Sequence, residues 1–137
     1  MKKSIVIFAV TTASFITSIA WASPMTNEVY FEVRRQLRKE DVSEFKAQKV
    51  CERIKGQSVE LNAKVVAVKK SGIIRLDMDD DFFSIPDIDL SLSDKDDAEN
   101  VKEKSWIKFT GQVEKCNFNK TTGSLTLDVT SGEVKKQ

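Results

Sequence analysis

The sequence predicts a mainly β fold with an N-terminal helical segment, and two observations support this. Hydrophobic residues recur at helical spacing up to residue 55, whereas from residue 57 they alternate with polar residues. Turn sequences at 70–72 and 119–123 divide the alternating part into short runs, as expected for β-strands. We therefore expect the order helix, three strands, a short helical connection and two further strands.

Residues 1–22 have the features of a secretory signal peptide. Lys2 and Lys3 precede an apolar stretch from 5 to 19, and Ala20-Trp21-Ala22 provides a small-x-small cleavage site. The apolar stretch is too short for a convincing membrane anchor, and no cysteine lies directly next to the cleavage site to carry a bacterial lipid anchor. We therefore expect cleavage after Ala22 and a periplasmic or secreted bacterial protein.

Residues 26–55 of the N-terminal segment are expected to form one bent helix or two short helices. Asp41 followed by Glu44 resembles a capping box, with Asp in place of Ser or Thr, and Gly56 stands where a glycine often ends a helix. Acidic residues among the basic ones favour packing on the domain's own core over binding at a membrane surface. The apolar residues at helical spacing are Val29, Val33, Leu37, Val42, Phe45, Val50 and Ile54.

Residues 56–134 are expected to form the β domain. The apolar run Val65–Val68 interrupts the alternation of the first strand and indicates burial of both faces or a β-bulge. Pro86 indicates an edge, a bulge or a strand start in the third strand. The polar stretch 93–104 lacks Gly and Pro and is expected to contain a short helix. Strands are predicted near residues 59–68, 74–78, 83–92, 106–118 and 125–129.

Five strands with a helix between the third and the fourth is the element order of an OB-fold, a small five-stranded Greek-key barrel. A five-stranded sandwich, or a curved sheet packed on one long helix, would produce the same periodicities and stays open. The predicted organisation is thus a signal peptide (1–22), an N-terminal helical segment (23–55) and an OB-fold-like barrel (56–134).

The charge of the mature chain excludes a protein that is steered to nucleic acid by bulk charge. Without residues 1–22 the chain holds 20 basic and 21 acidic residues. The charges are nevertheless segregated, with eleven bases and five acids in 34–70 but eleven acids and two bases in 77–103. This pattern indicates a basic and an acidic surface region, and it is compatible with a charge-complementary partner or self-association.

Two features limit the chemistry that the chain can carry. Cys51 and Cys116 form an even pair in a protein predicted to be exported, so we expect one disulfide bond rather than a catalytic or metal site. The chain has no histidine, which removes Ser-His-Asp and Cys-His catalysis. We therefore predict a non-enzyme without a cofactor.

The acidic run Asp77–Asp81 invites a calcium interpretation but fails the EF-hand pattern. Phe82 stands at the sixth position, where glycine is needed, and Ile88 stands at the twelfth, where a bidentate glutamate is needed. We expect a solvated acidic turn and predict no metal ligands. Such a turn would repel phosphate groups, which disfavours nucleic acid at that end of the sheet.

A candidate ligand surface combines aromatic and basic residues of the predicted strands. Adjacent aromatics in a strand point to opposite faces, and Trp106 precedes an inward series, so one of the pair 82–83 and Trp106 should face outward. Exposed aromatics next to bases are typical of OB-folds that bind single strands. An aromatic that covers the barrel end against a helix is the alternative. The candidate ligand-binding residues are Phe82, Trp106, Lys64, Lys69 and Arg75.

Two sequence stretches resemble a known family. Phe109-Thr110-Gly111-Gln112-Val113, entered through a Lys-rich turn, and Lys55-Gly56-Gln57-Ser58-Val59 resemble strands of exported bacterial OB-fold domains of the tRNA-anticodon-binding-like type. The resemblance covers about residues 55–133. It implies an OB-fold and carries no catalytic residues.

Together these observations predict a non-catalytic binding or accessory module of the cell envelope that acts through protein–protein contacts. The alternative is an OB-fold protein that binds an oligosaccharide or single-stranded nucleic acid. We expect the partner to be an envelope protein or a glycan, with nucleic acid disfavoured by the acidic turn. A small hydrolase is a third hypothesis, weakened by the missing histidine.

Overall fold

The computed structural model describes residues 23–79 and 86–135. The predicted signal peptide, Phe82 and the end of the acidic run lie outside these ranges. Two helices, a short 3₁₀-helix and five strands follow one another along the described chain. They are α1 (Asn27–Leu37), α2 (Glu44–Ile54), β1 (Ser58–Val68), β2 (Ile74–Asp77), β3 (Ile88–Leu92), the 3₁₀-helix (Lys95–Asn100), β4 (Trp106–Asn119) and β5 (Ser124–Val134).

The five strands form a closed barrel with the neighbour order β1-β2-β3-β5-β4, which β4 closes by pairing with β1. Neighbouring strands are antiparallel except β3 and β5, which run parallel. The predicted fold class, an OB-like five-stranded barrel with a short helix between β3 and β4, is confirmed. The sandwich and the curved sheet are excluded, because neither would close on itself.

The predicted irregularity in the first strand is a β-bulge. The pairing of β1 with β2 shifts register between Val65 and Ala67, within the apolar run that breaks the alternation. Before the bulge, every second residue of β1 is buried in the barrel. The bulge strengthens the local twist of the strand, which helps a small sheet to close.

Gly111 allows β4 and β5 to pack closely. A Cβ atom at this position would lie 2.4 Å from Cγ1 of Val129 and 2.8 Å from the carbonyl oxygen of Thr130. Since the second atom belongs to the backbone, the strands themselves would have to move. We expect Gly111→Ala to lower the free energy of unfolding by about 1–3 kcal/mol, measured by urea denaturation. Gln112→Ala, at the exposed next position, is the control, and equal losses for both variants would contradict the prediction.

The N-terminal segment forms two short helices. Thr26 caps α1 and Ser43 caps α2, each through a side-chain oxygen that accepts a backbone N–H three residues later. The predicted cap at Asp41 is wrong, because residues 38–42 form the turn between the helices and α2 begins only after Ser43. Buried residues of both helices join the barrel residues in one core; the domain boundary at residue 55 stays a prediction.

Residues before α1 and in its first turn pair with the free edge of β1. The N–H of Met25 donates to the carbonyl of Ser58 at 2.9 Å, and the N–H of Glu60 donates to the carbonyl of Met25 at 2.8 Å. The side-chain amide of Asn27 then pairs with both backbone groups of Asn62, at 2.8 and 2.9 Å. This edge of β1 lies before the part that pairs with β2, so the N-terminal segment completes the hydrogen bonding there.

Tyr30 supplies a hydrogen bond to the backbone of β5, as Met25 and Asn27 do for β1. The β3–β5 ladder reaches Leu127, whose N–H donates to the carbonyl of Asp87, and the carbonyl of Leu125 lies two residues before it. The hydroxyl of the fully buried Tyr30 donates to that carbonyl at 2.5 Å. Burial raises the pKa of Tyr30, so the hydroxyl keeps the proton that it donates.

Helix α2 is attached to the distal half of β4 by a disulfide bond. The β1–β4 register runs to Ser58 and Gln112, and Gly56 extends it by donating to the carbonyl of Val113. Farther along β4, Cys116 is bonded to Cys51 of α2, with Cα atoms 5.2 Å apart. The predicted disulfide is therefore present, and it joins the helical segment to the fourth strand as expected.

Across residues 23–79 and 86–135 no helix has both the length and the apolar character that crossing a membrane requires.

Candidate functional site

Trp106 lies on the outer face of the barrel beside Lys64. The register pairs Trp106 of β4 with Lys64 of β1, and the next pair, Ile107 and Ala63, points into the core. Directly opposed side chains on antiparallel strands have Cβ atoms about 5 Å apart. Trp106 is 42 % exposed, so its ring is accessible next to the Lys64 side chain.

The turn that leads into β4 is bound to the end of β1. The N–H of Lys104 donates to the carbonyl of Val65, and the N–H of Val65 donates to the carbonyl of Ser105, both at 2.8 Å. One residue earlier, the Glu103 carboxylate accepts the N–H of Val68 at 3.1 Å. These bonds hold the lysines of the turn near Trp106.

Two lysines lie beside the exposed tryptophan, Lys64 across the sheet and Lys108 along β4. Lys108 follows Trp106 by two residues on the same face, about 7 Å along the strand, and its ammonium lies 3.6 Å from a carboxylate oxygen of Glu60. Lys69 follows the end of β1 and is exposed. We define the Trp106 surface as Trp106 with Lys64, Lys104 and Lys108.

The structure brings together some of the residues predicted to bind a ligand and places another in an ion pair. Trp106 and Lys64 are direct neighbours, whereas Lys69 is exposed just past the end of β1, five residues farther along the chain. Arg75 points outward from β2, but its Nε lies 3.3 Å from a carboxylate oxygen of Asp89 on β3. Its charge is thus largely balanced within the sheet. Phe82 lies outside the described residues, so its role stays a prediction.

A second polar cluster, which the sequence analysis did not identify, lies where α1 crosses the end of β2. The guanidinium of Arg34 donates to both carboxylate oxygens of Asp79, at 2.8 and 3.2 Å. It also lies 4.9 Å from the ring centroid of Phe31 and 5.7 Å from that of Tyr30. These contacts fix α1 to the barrel through a charge-assisted, bidentate pair.

Two carboxyl groups of this cluster are buried. Asp77 is 1 % exposed and Asp87 is 6 % exposed, and a carboxylate oxygen of Asp87 accepts the N–H of Met78 at 2.8 Å. Burial, with the neighbouring Asp77 as a further cause, raises the pKa of Asp87 to about 7. The expected solvated acidic turn is therefore wrong for Asp77, which ends β2 and faces a covered part of the barrel surface.

Within the described residues, no group of three or more His, Cys, Asp or Glu side chains is placed to hold a metal ion. Asp80 and Asp81 lie outside those residues.

A polar cleft of about 370 Å³ lies between α2 and the β4–β5 hairpin. Its lining mixes two lysines with two carboxylates, and it has no aromatic side chain. Burial, followed by the charge of Asp89, raises the pKa of Asp128 in this cleft. The cleft is lined by Gln48, Glu52, Lys55, Lys115, Cys116, Asn117, Thr126 and Asp128.

Comparison with known proteins adds little to what this geometry shows. No protein-family model matches the chain, and no curated protein matches it. Among solved structures, the chain is similar to a lipoprotein from Klebsiella pneumoniae subsp. pneumoniae that has been proposed to bind nucleic acid. The identity is 16 % and the TM-score 0.48, over 64 % of this chain and 77 % of that chain. A similarity of this size gives no basis for transferring a function.

Proposed function

We propose that this protein is an exported, non-catalytic binding or accessory module of the cell envelope that contacts a partner protein through the Trp106 surface. The observation that carries the proposal is the accessible Trp106 ring on a sheet face that hydrogen bonds hold in place. Tryptophan is enriched among the residues that contribute most to protein–protein binding, and a rigid strand lowers the ordering cost of presenting it.

Export is supported by the N-terminal sequence pattern and by the disulfide. Disulfide bonds persist in the periplasm and outside the cell, whereas cytosolic thiols are kept reduced. The Cys51–Cys116 bond joins two elements of the fold, so it has a structural use in such a compartment.

The burial and the hydrogen bonds of the carboxyl groups support the proposal of a non-catalytic protein. Asp79 is bound to Arg34, and Asp87 accepts a backbone N–H while it is almost fully buried. A hydrolase that works with two carboxyl groups needs both of them beside the substrate. Their burial and their bonds within the protein instead favour a role in attaching α1 to the barrel.

A second candidate function is favoured by the same Trp106–Lys64 pair. An aromatic ring beside a basic side chain on an OB-like barrel is a stacking platform for a sugar or a base. Glu60 and Glu103 on the same face weaken this option for polyanions, because each carboxylate opposes phosphate. A glycan array and a single-strand binding assay at moderate salt test it, and no response in either would remove it.

The proposed function predicts that Trp106→Ala weakens partner binding by roughly 30-fold or more, as for a central interface tryptophan. The full chain is used to capture partners from envelope extract, and the captured protein is then titrated by calorimetry. Since Trp106 is already partly exposed, the melting temperature should change little.

The matched control is Phe45→Ala. Phe45 is the other large hydrophobic residue exposed in the described chain, at 73 %, and it lies on α2, away from the Trp106 surface. Binding that is unchanged by Trp106→Ala, or that both substitutions reduce equally, would contradict the proposal.

A further inference from the structure

We propose that the polar cleft between α2 and the β4–β5 hairpin (the α2 cleft) binds a small zwitterion, an amino acid with an uncharged polar side chain. The cleft is separate from the Trp106 surface, because β4 enters it only at Lys115, nine residues beyond Trp106. The inference therefore goes beyond the proposed function and does not depend on it.

One wall of the α2 cleft is the outer face of the hairpin. Lys115 of β4 lies opposite Asp128 of β5, and Asn117 lies opposite Thr126. These side chains point away from the barrel interior, since Leu127, between the two β5 residues, is buried in the core. Two pairs of polar side chains thus stand next to one another on neighbouring strands.

The other wall is one face of α2. Gln48, Glu52 and the C-cap residue Lys55 follow one another at spacings of four and three residues, which places them on the same side of the helix. Glu52 has a partner at the cleft edge, Lys49, whose ammonium lies 3.9 Å from its carboxylate. The cleft is therefore polar on both sides.

The two walls are held together before any ligand binds. Cys51 of α2 and Cys116 of β4 are joined by the disulfide bond, with Cα atoms 5.2 Å apart. Just after α2, the N–H of Gly56 donates to the carbonyl of Val113 at 2.7 Å. A site whose walls are already in place loses little binding energy to arranging them.

Several side chains in the α2 cleft have hydrogen-bonding groups that the protein does not use. Within residues 23–79 and 86–135, no hydrogen bond or ion pair engages the side chains of Gln48, Lys55, Lys115, Asn117 and Asp128. Converging polar groups in a concave site are typical of small-molecule binding. The volume of about 370 Å³ is near the lower end of the range for such sites, which indicates a small ligand.

The charges of the lining favour a zwitterion. Lys55 and Lys115 are balanced by Glu52 and Asp128, so a simple anion would meet two carboxylates and a simple cation two lysines. Lys115 and Asp128 are directly opposed, with Cβ atoms about 5 Å apart. An amino acid carries its ammonium and carboxylate groups on one carbon atom and can contact both side chains at once.

Asp128 would be stabilised by the ammonium group of such a ligand. It lies beside Asp89 in the parallel pairing of β3 and β5, and Asp89 already has a partner in Arg75, at 3.3 Å. Burial, followed by the charge of Asp89, raises the pKa of Asp128. A ligand ammonium beside Asp128 would lower that pKa again by favouring the carboxylate.

The uncharged lining residues account for the side chain of the ligand. The amides of Gln48 and Asn117 offer both donors and acceptors, and the hydroxyl of Thr126 can also accept. No aromatic or aliphatic side chain is among the lining residues, so the cleft suits a polar side chain better than an apolar one.

The test is a titration of the disulfide-bonded full chain with L-glutamine, followed through the chemical shifts of the backbone amides. Two analogues complete it: glutaramate lacks the ammonium group, and γ-aminobutyramide lacks the carboxylate. We expect L-glutamine to shift the amides of Gln48, Asn117 and Thr126 until they saturate. Each analogue should bind about tenfold more weakly or worse, because it leaves one charged side chain without its partner.

Substitutions assign the two charges of the ligand. Lys115→Gln should weaken L-glutamine about tenfold but leave γ-aminobutyramide unchanged, since that analogue has no carboxylate for Lys115. Asp128→Asn should likewise weaken L-glutamine and leave glutaramate unchanged. Lys70→Gln in the β1–β2 turn and Glu99→Gln in the 3₁₀-helix are the matched controls outside the cleft. The amide spectrum of each variant without ligand shows whether it is folded.

Three results would overturn the proposal. The first is that L-glutamine, L-asparagine and L-serine all leave the cleft amides unshifted. The second is that either analogue binds as tightly as L-glutamine, and the third is that the control variants weaken binding as much as Lys115→Gln and Asp128→Asn do. None of them bears on partner binding, which is measured separately with Trp106→Ala.

Discussion

Reduction of the Cys51–Cys116 bond is expected to lower the free energy of unfolding by about 4 kcal/mol. The bond closes a loop of 65 residues, and in the chain-entropy model a loop of that length gives about this stabilisation. Domains of this size are stable by only about 5–15 kcal/mol, so the loss should bring the protein close to its unfolding threshold. Urea denaturation of the oxidised and reduced protein measures the difference.

The double variant Cys51→Ala/Cys116→Ala separates the bond from the packing of its sulfur atoms. Cys51 is fully buried, so this variant should lose more stability than the reduced protein does. Hydrogen exchange should increase first in α2, since the bond holds that helix against β4. A difference of less than about 1 kcal/mol between oxidised and reduced protein would mean that the constraint on the unfolded chain is minor.

The barrel could be predicted from the sequence because its signals are local. In β1, burial alternates strictly from Val59 to Val65, and that period of two is visible without any knowledge of the partners. The bulge was also visible, since a run of four apolar residues cannot keep the alternation. The cysteine pair could be predicted because the chain offers one pairing.

The attachment of α1 could not be predicted, because it depends on where distant strands end. Tyr30 looks like an ordinary helix residue in sequence, yet it satisfies a β5 carbonyl 95 positions away. Asn27 satisfies the β1 edge in the same way, 35 positions away. Such partners are fixed by the strand register, and no short-range pattern encodes that register.

In the candidate site, too, the features with a local sequence signal could be predicted, and those that depend on strand register could not. Alternation predicted that Trp106 faces outward, and the structure shows it exposed. The neighbour relation of Trp106 and Lys64 needed the β1–β4 register, and the Arg75–Asp89 ion pair needed that of β2 and β3. The acidic run was misjudged at Asp77, because polar sequence predicts solvation while the covering of β2 is a tertiary effect.

Asp87→Asn is expected to make the protein more stable at pH 8 while leaving its stability near pH 4 almost unchanged. Burial raises the pKa of Asp87 to about 7 from its ordinary value of 3.8. Asparagine is neutral, keeps an oxygen for the N–H of Met78, and offers an N–H toward Asp77. It therefore imitates the protonated carboxyl group without being able to ionise.

The direction of this pH dependence follows from which state, folded or unfolded, holds the proton on Asp87. Between pH 4 and 7 the folded protein retains a proton on Asp87 that the unfolded chain has already released, so the wild-type stability falls as the pH rises through this range. Above pH 7 the folded state must bury the charge next to Asp77. At about 1.4 kcal/mol for each pKa unit, the loss is at most about 4 kcal/mol, and Asp87→Asn should remove it.

The decisive comparison is with Asp89→Asn, the same substitution two residues later, in β3, at a partly exposed ion pair. Surface pairs of this kind contribute about 0–1 kcal/mol, so Asp89→Asn should keep the wild-type slope of stability against pH. Unfolding by urea at a series of pH values gives all three curves. A wild-type stability that is flat from pH 5 to 8, or an Asp87→Asn curve parallel to it, would show that Asp87 is ionised in the folded protein at neutral pH. In that case Arg34 and backbone donors would stabilise the ionised carboxylates of Asp77, Asp79 and Asp87 against their mutual repulsion.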